Sequence, residues 1–359
     1  MKQAQNNSGH VHRFLRRLVH CMTISSCFAA PSHAATESPP NPAPIAIVKR
    51  IAGPDGNWDY ATADSTKRRL YVARDYGVMA IDLDSWAVTD KLVPGSMVHG
   101  IAAVGSTGRF VSTNGKTNTA TLFEGSTGKV LAEIATGKDP DAVVFEPKSG
   151  LVAAINHEGG DATLIDPNSR TAVGTIRIGG ELEFAAADGE GHVYVNVADK
   201  HQIAVIDVAA RKVTATIPLP GCKDPSGLAY DADDRWLIAV CFNGVAEFID
   251  PSSGRPIAKI RTGKLPDAVM WDSTRRRAYV PSFADGNLTV IAVRNSNDIK
   301  VVQTLATQMG TRTGAVDLST GTIYLPTSKL TPPAKGGEYP IPVPGTFEVL
   351  VVGAKAHKT

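Results

Sequence analysis

Seven copies of a unit of about 42 residues, each holding four short apolar runs between turn residues, predict an all-β fold. The architecture this implies is a seven-bladed β-propeller of four-stranded antiparallel blades. Spacing is the first observation. The residues just before each unit's first apolar run are Asp59, His99, Asp141, Glu183, Ser226, Asp267 and Arg312, at intervals of 40, 42, 42, 43, 41 and 45. The second is a near-identical string, TGKDPDAV at 136–143 and TGKLPDAV at 262–269. Seven of its eight positions agree across 126 residues, which is three units.

The chain of 359 residues opens on a different pattern. Arg13, Arg16 and Arg17 precede a short apolar run from Leu18 to Ala30, followed by Ser32-His33-Ala34. A basic start, a short apolar middle and a small-x-small site are the layout of a secretory signal peptide, expected over residues 1–34 with cleavage near Ala34. The run is too short to span a membrane. Ile24-Ser25-Ser26-Cys27 loosely resembles a lipoprotein box, so lipid-anchored and freely exported forms both stay open. Residues 35–43 form a Pro-rich linker without apolar periodicity.

The propeller is expected over 44–353. Its third unit displays the pattern: AVVFE, turn PKSG, LVAAIN, loop HEGGD, ATLID, turn PNSR, AVGTIRI. Runs of four to seven residues rich in Val, Ile and Ala, bounded by Gly, Pro, Asn and Asp, are strands, and no helical period competes. They are apolar on both faces, as a sheet packed between two others requires. The seventh unit has only TGAVD, TIYLPT and FEVLVVG before the chain runs out in a tail at 354–359. The run PIAIVKRI at 44–51 is the strand it lacks, so the N-terminus is expected to complete the last blade and close the ring.

Within this repeat, Tyr71-Val72, Tyr194-Val195 and Tyr279-Val280 on second strands are joined by Leu164-Ile165-Asp166, Val205-Ile206-Asp207 and Phe248-Ile249-Asp250 on third strands. With the G-x-x-P turns at Gly137 and Gly263, these make the chain after residue 34 resemble the YncE-like, YVTN-repeat branch of seven-bladed propellers. Several units depart from that motif, reading YVAR, FVSTN and YVPS. The resemblance implies an exported, periplasmic or secreted scaffold; propeller lactonases are a more distant comparison.

Charge argues against one broad class of partner. The formal charge of +2 falls to −2 when residues 1–34, with four basic groups and no acidic ones, are removed. Such a balance gives no global attraction to nucleic acid or anionic membrane. Arg74, Lys138, Lys264 and Arg312 could line one rim, which leaves single-stranded nucleic acid as the weakest alternative. Of four cysteines, Cys21 and Cys27 fall in the signal segment, and Cys222 and Cys241 remain. Cys222 precedes the fifth unit's first strand and Cys241 ends its second, so antiparallel pairing predicts a disulfide.

In a propeller, the loop leading into each innermost strand and the loop joining its second and third strands share one face. The ligand-binding candidates on that face are Asp59, Arg74, His99, Asp141, Glu183, Asp267 and Arg312. Its second-to-third loops also carry His157 and His201. Carboxylates converging on a narrow mouth repel unless they share a proton, a metal or a basic partner. His99, Asp141, Glu183 and Asp267 therefore form a candidate set for a divalent cation, with oxygen-rich chemistry that suits Ca²⁺, Mg²⁺ or Mn²⁺. His99, His157 and Arg312 are the catalytic candidates if such a metal serves lactonase- or lyase-type chemistry. The competing reading gives Asp141 and Asp267 a local turn-capping role. The insertion SKLTPPAKGGEYPIPVPG at 328–345, far longer than its counterparts, is either a functional loop or a flap over the ring closure.

No G-x-S-x-G, H-E-x-x-H, phosphate-binding or dinucleotide-binding motif occurs. The leading expectation is a monomeric binding scaffold for a small molecule or a protein of the cell envelope. The metal-dependent enzyme stands second.

Overall fold

The structure is a computed structural model that describes residues 44–332 and 340–355. The signal and linker readings over 1–43, the middle of the long insertion and the end of the C-terminal tail lie outside these residues. Among the described residues there is no α-helix, only two single 3₁₀ turns at Gly115–Thr117 and Ala198–Lys200.

Seven four-stranded antiparallel sheets make up the ring, a β-propeller as the repeat predicts. Six blades are simple meanders over 58–94, 98–135, 140–177, 182–218, 225–261 and 270–306. The seventh is composite: Ala315–Asp317, Thr322–Thr327 and Glu348–Ala354 are joined at the outer edge by Ile45–Ala52. The N-terminal strand thus closes the ring and covers an edge that would otherwise expose unpaired backbone.

The core is distributed between blades. Seven clusters of buried apolar side chains occur, one at each blade-to-blade contact. Second and third strands such as Leu151–Asn156 and Asp161–Asp166 are buried almost throughout because both their faces meet a neighbour. Fourth strands such as Lys212–Pro218 lie at the outer edge and are largely exposed.

A second ring of contacts crosses the same seams on the face away from the long loops, and no sequence motif announces it. Arg69 donates to the Gly125 and Ser126 carbonyls, Arg109 to the Pro167 carbonyl, and Lys148 to that of Glu190. Arg235 pairs with Glu190, Arg276 with Asp231, Arg275 donates to the Leu318 carbonyl, and Arg68 pairs with Asp317. Each of the seven seams is therefore bridged by a basic side chain.

Crowding at the axis explains particular glycines. A Cβ on Gly227 would lie 2.7 Å from the Ala268 Cα, and one on Gly100 would lie 3.0 Å from the Val143 nitrogen. Innermost strands of adjacent blades approach too closely there for a side chain.

Candidate functional site

The residues before the first strands reach the axis through a repeated backbone defect. In five blades the inner-strand register slips across the anchor: between Trp58 and Ala61, Val98 and Ile101, Pro140 and Ala142, Leu182 and Ala185, and Pro225 and Leu228. A bulge re-aims one side chain out of the pleat. In the sixth and seventh blades the inner strands are only Met270–Asp272 and Ala315–Asp317, shorter than the sequence predicts, so Asp267 and Arg312 stand on irregular backbone ahead of them.

These devices bring Asp59, His99, Asp141, Glu183, Asp267 and Arg312 together. A cavity of about 460 Å³ is lined by Asp59, Asp141, Glu183, Asp267 and Arg312 with Phe242, Phe283 and Leu265 on its walls. Tyr60 also lines it. Its ring packs 4.5 Å from that of Phe184, and its hydroxyl donates to the Asp267 carbonyl at 3.0 Å, so two aromatic side chains from different blades meet in the ring's centre. A neighbouring space of about 390 Å³ shares Asp59, Arg312, Phe283 and Pro340 and adds Trp58, Met97 and His99.

The groups at the mouth are arranged in pairs. His99 Nδ1 lies 2.7 Å from Asp59 Oδ2 and 3.3 Å from Asp141 Oδ1. Arg312 Nε lies 3.3 Å from Asp267 Oδ2, and its Nη2 donates to the Trp58 carbonyl at 2.9 Å. Ser226 Oγ donates to Asp267 Oδ1 at 2.5 Å. His157 Nδ1 is 2.8 Å from the Leu182 carbonyl and 3.5 Å from Glu183 Oε1.

Electrostatics follow from this crowding. Burial alone would lower the His99 imidazole; the hydrogen bond and charge of Asp59, with Asp141 and Asp139 behind it, prevail and raise it from 6.5 to about 9. Burial raises Asp141 from 3.8 to about 7, against the pull of His99 and with the push of Asp59 and Asp267. Burial likewise lifts Glu183 well above the carboxylate range, reinforced by Asp141 and Asp267. Asp267 is raised by burial too, with Arg312 opposing. Four carboxylates thus face two cations, His99 and Arg312. Full ionisation would leave two negative charges unbalanced in a poorly solvated space, so protons are retained there.

Placement differs from residue to residue among the sequence candidates. Asp59, His99 and Asp141 offer ligand atoms within 4.8 Å of one another, which substitutes Asp59 for Glu183 and Asp267 in the tightest potential metal grouping. Asp141 and Asp267 do not cap their own turns; that role belongs to Asp64, Asp82, Asp166 and Asp250 on the opposite face. Arg74 is fully buried away from the mouth. It donates to the carbonyls of Pro54, Gly56 and Asn57, and its guanidinium sits 3.7 Å from the centre of the Phe347 ring. His201 accepts from the Asp224 amide at 3.4 Å.

Sequence reasoning places Asn243 and Asp285 on this face without a role and overlooks Asp75 and Asp199; all four are bracing residues. Each accepts an amide hydrogen from the loop leading into its own blade, at Asn57, Glu181, Lys223 and Lys264. Their recurrence between second and third strands was the available signal. Cys222 and Cys241 form a disulfide, Cα to Cα 5.4 Å, beneath the same face. The insertion contributes a two-stranded ladder, Leu330–Thr331 with Ile341–Pro342, and sets Leu330, Pro340 and Pro342 on the wall of the smaller space.

No family model and no curated protein matches the chain in sequence. Solved structures share its fold. A chain of Kuenenia stuttgartiensis hydrazine synthase aligns at TM-score 0.66 and 13% identity, over 77% of this chain and 92% of that one. A chain of a mitotic checkpoint complex aligns at TM-score 0.69 and 11% identity, over 86% and 96%. At such identities the likeness is one of architecture, and it places the chain among the β-propellers. Among the described residues no helix is long and apolar enough to cross a membrane.

Proposed function

We propose that this propeller is a binding scaffold whose long-loop face takes an organic cation at the channel mouth. The observation that carries this reading is the excess of carboxylates over cations in a cavity of about 460 Å³ whose other walls are Phe242, Phe283, Tyr60 and Leu265. An ammonium group would replace the protons held by Asp141 and Glu183, and its apolar stem would lie against the aromatic walls. The N-terminal export pattern and the YVTN-like strand motifs support a cell-envelope location for this activity.

Titration calorimetry with n-butylammonium tests it. Binding should release protons, and affinity should rise between pH 6 and pH 8 as Asp141 and its neighbours lose theirs. Asp141→Asn and Asp267→Asn should each weaken binding about tenfold while the ring stays folded. Butylammonium that fails to bind at either pH would remove the reading.

A second reading rests on Asp59, His99 and Asp141, whose ligand atoms lie within 4.8 Å. These residues would hold Ca²⁺, Mg²⁺ or Mn²⁺, and the ion would supply Lewis-acid polarisation of a carbonyl for lactonase- or lyase-type chemistry. His99 must first give up the proton it shares with Asp59, which ranks this reading second. Thermal melts in EDTA and in each cation decide it, since a site of this kind must raise Tm with its metal.

A further inference from the structure

Besides Arg312 Nε, which has the Asp267 carboxylate 3.3 Å away, two nitrogen donors at the acidic mouth have no acceptor among the described residues. Trp58 is 5% exposed and lines the smaller space, and its indole Nε1 is unpartnered. His99 Nε2 is also unpartnered and stands 4.0 Å from Asp139 Oδ1. A buried N–H without an acceptor forfeits its hydration and gains nothing in return, so an occupant that brings acceptors gains by filling this space. An alkylammonium ion satisfies the carboxylates and leaves both donors orphaned.

The rim carries the other half of the pattern. Met97 and Leu265 are 46% and 40% exposed and stand two residues ahead of His99 and Asp267 in their own blades. Both have a left-handed backbone, φ 49° and 51°, a conformation disfavoured for a residue with a side chain. Met309 and Ile341, on the same side of the ring, are 63% and 48% exposed. An acidic, donor-bearing hollow inside an apolar rim complements a cationic side chain on a polar backbone with apolar neighbours.

We propose that the occupant is an extended segment of a protein partner that inserts a lysine or arginine side chain among Asp59, Asp141, Glu183 and Asp267. Its backbone carbonyls accept from Trp58 and His99, and its apolar flanks cover Met97 and Leu265. This rests on the reading of the mouth as an organic-cation site and narrows that site to one source.

The test is calorimetric titration of the full chain with three probes. These are the acetylated, amidated pentapeptide Ala-Leu-Lys-Leu-Ala, the same peptide with norleucine for lysine, and n-butylamine. The lysine peptide should bind at least about tenfold tighter than either of the others. Met97→Asn keeps a residue that tolerates left-handed backbone, and it should weaken the lysine peptide about fivefold while leaving butylamine unchanged. Trp58→Phe should do the same. A lysine peptide no tighter than butylamine overturns the peptide proposal and leaves the cation site standing. Equal binding of the norleucine and lysine peptides, or no binding by lysine peptide and butylamine alike, overturns both.

Discussion

His99 Nδ1 lies 2.7 Å from Asp59 Oδ2, so a side chain from the second blade is held by a carboxylate from the first at the point where the channel opens. The contact ties two adjacent blades and raises the His99 imidazole against the effect of its burial. Its consequence is a pH dependence of stability with a defined sign. His99 and Asp141 both have folded pKa values above their unfolded ones, about 9 against 6.5 and about 7 against 3.8. Folding therefore takes up protons, and the stabilisation is complete below the unfolded values and lost as pH climbs through the folded ones. Tm should fall from pH 5 to pH 9. His99→Gln should flatten the upper part of that slope and Asp141→Asn the lower part, as read by thermal melts across the range.

Arg68 crosses from the first blade to the seventh and reaches Asp317, whose side chain is fully buried. Removing the guanidinium leaves a buried carboxylate short of its partner. Arg68→Ala should cost about 2–3 kcal/mol in urea unfolding. Lys138→Ala, which breaks an exposed pair with Glu158, should leave the urea midpoint unchanged.

The disulfide links Cys222, in the loop leading into the fifth blade, to Cys241 at the end of that blade's second strand, 19 residues on. Both sulfur-bearing side chains are buried, so alanine replacements need no new polar contact. Cys222→Ala with Cys241→Ala should lower unfolding free energy by about 3 kcal/mol, measured against the oxidised parent.

Gly227 faces the backbone of the next blade, where an added Cβ would meet the Ala268 Cα at 2.7 Å. Backbone cannot swing aside as a side-chain tip can. Gly227→Ala should cost about 1–3 kcal/mol, and Gly150→Ala, whose Cβ meets nothing but whose φ is 70°, only about 1 kcal/mol. Chemical denaturation of the two variants side by side checks the difference.

The blade count, the strand order and the composite closure by Ile45–Ala52 were legible because they depend on local signals repeated seven times. Turn residues at fixed offsets and apolar runs of strand length survive drift in any single unit. The convergence of Asp59, His99, Asp141, Glu183, Asp267 and Arg312 was legible too, since seven-fold geometry sends every anchor toward one axis. Their division of labour was not. Asp59 pairs with His99 and Arg312 with Asp267 because bulges and shortened inner strands set each side chain's aim, and no residue pattern encodes a bulge unambiguously. Arg74 shows the same limit from the other side. The sequence places it in a second-to-third loop on the long-loop face, but it ends the strand Arg69–Arg74, and three backbone carbonyls and the Phe347 ring draw it inward.

Sequence alone determined the propeller, its seven blades and the face on which its charged loops gather, because periodicity and turn chemistry act over a few residues at a time. Tertiary structure decided which charges touch, which are buried deeply enough to hold a proton, and which donors are left without acceptors. Those properties depend on distances of 2.7–4.0 Å between residues at least 40 positions apart, and only the closed ring sets them.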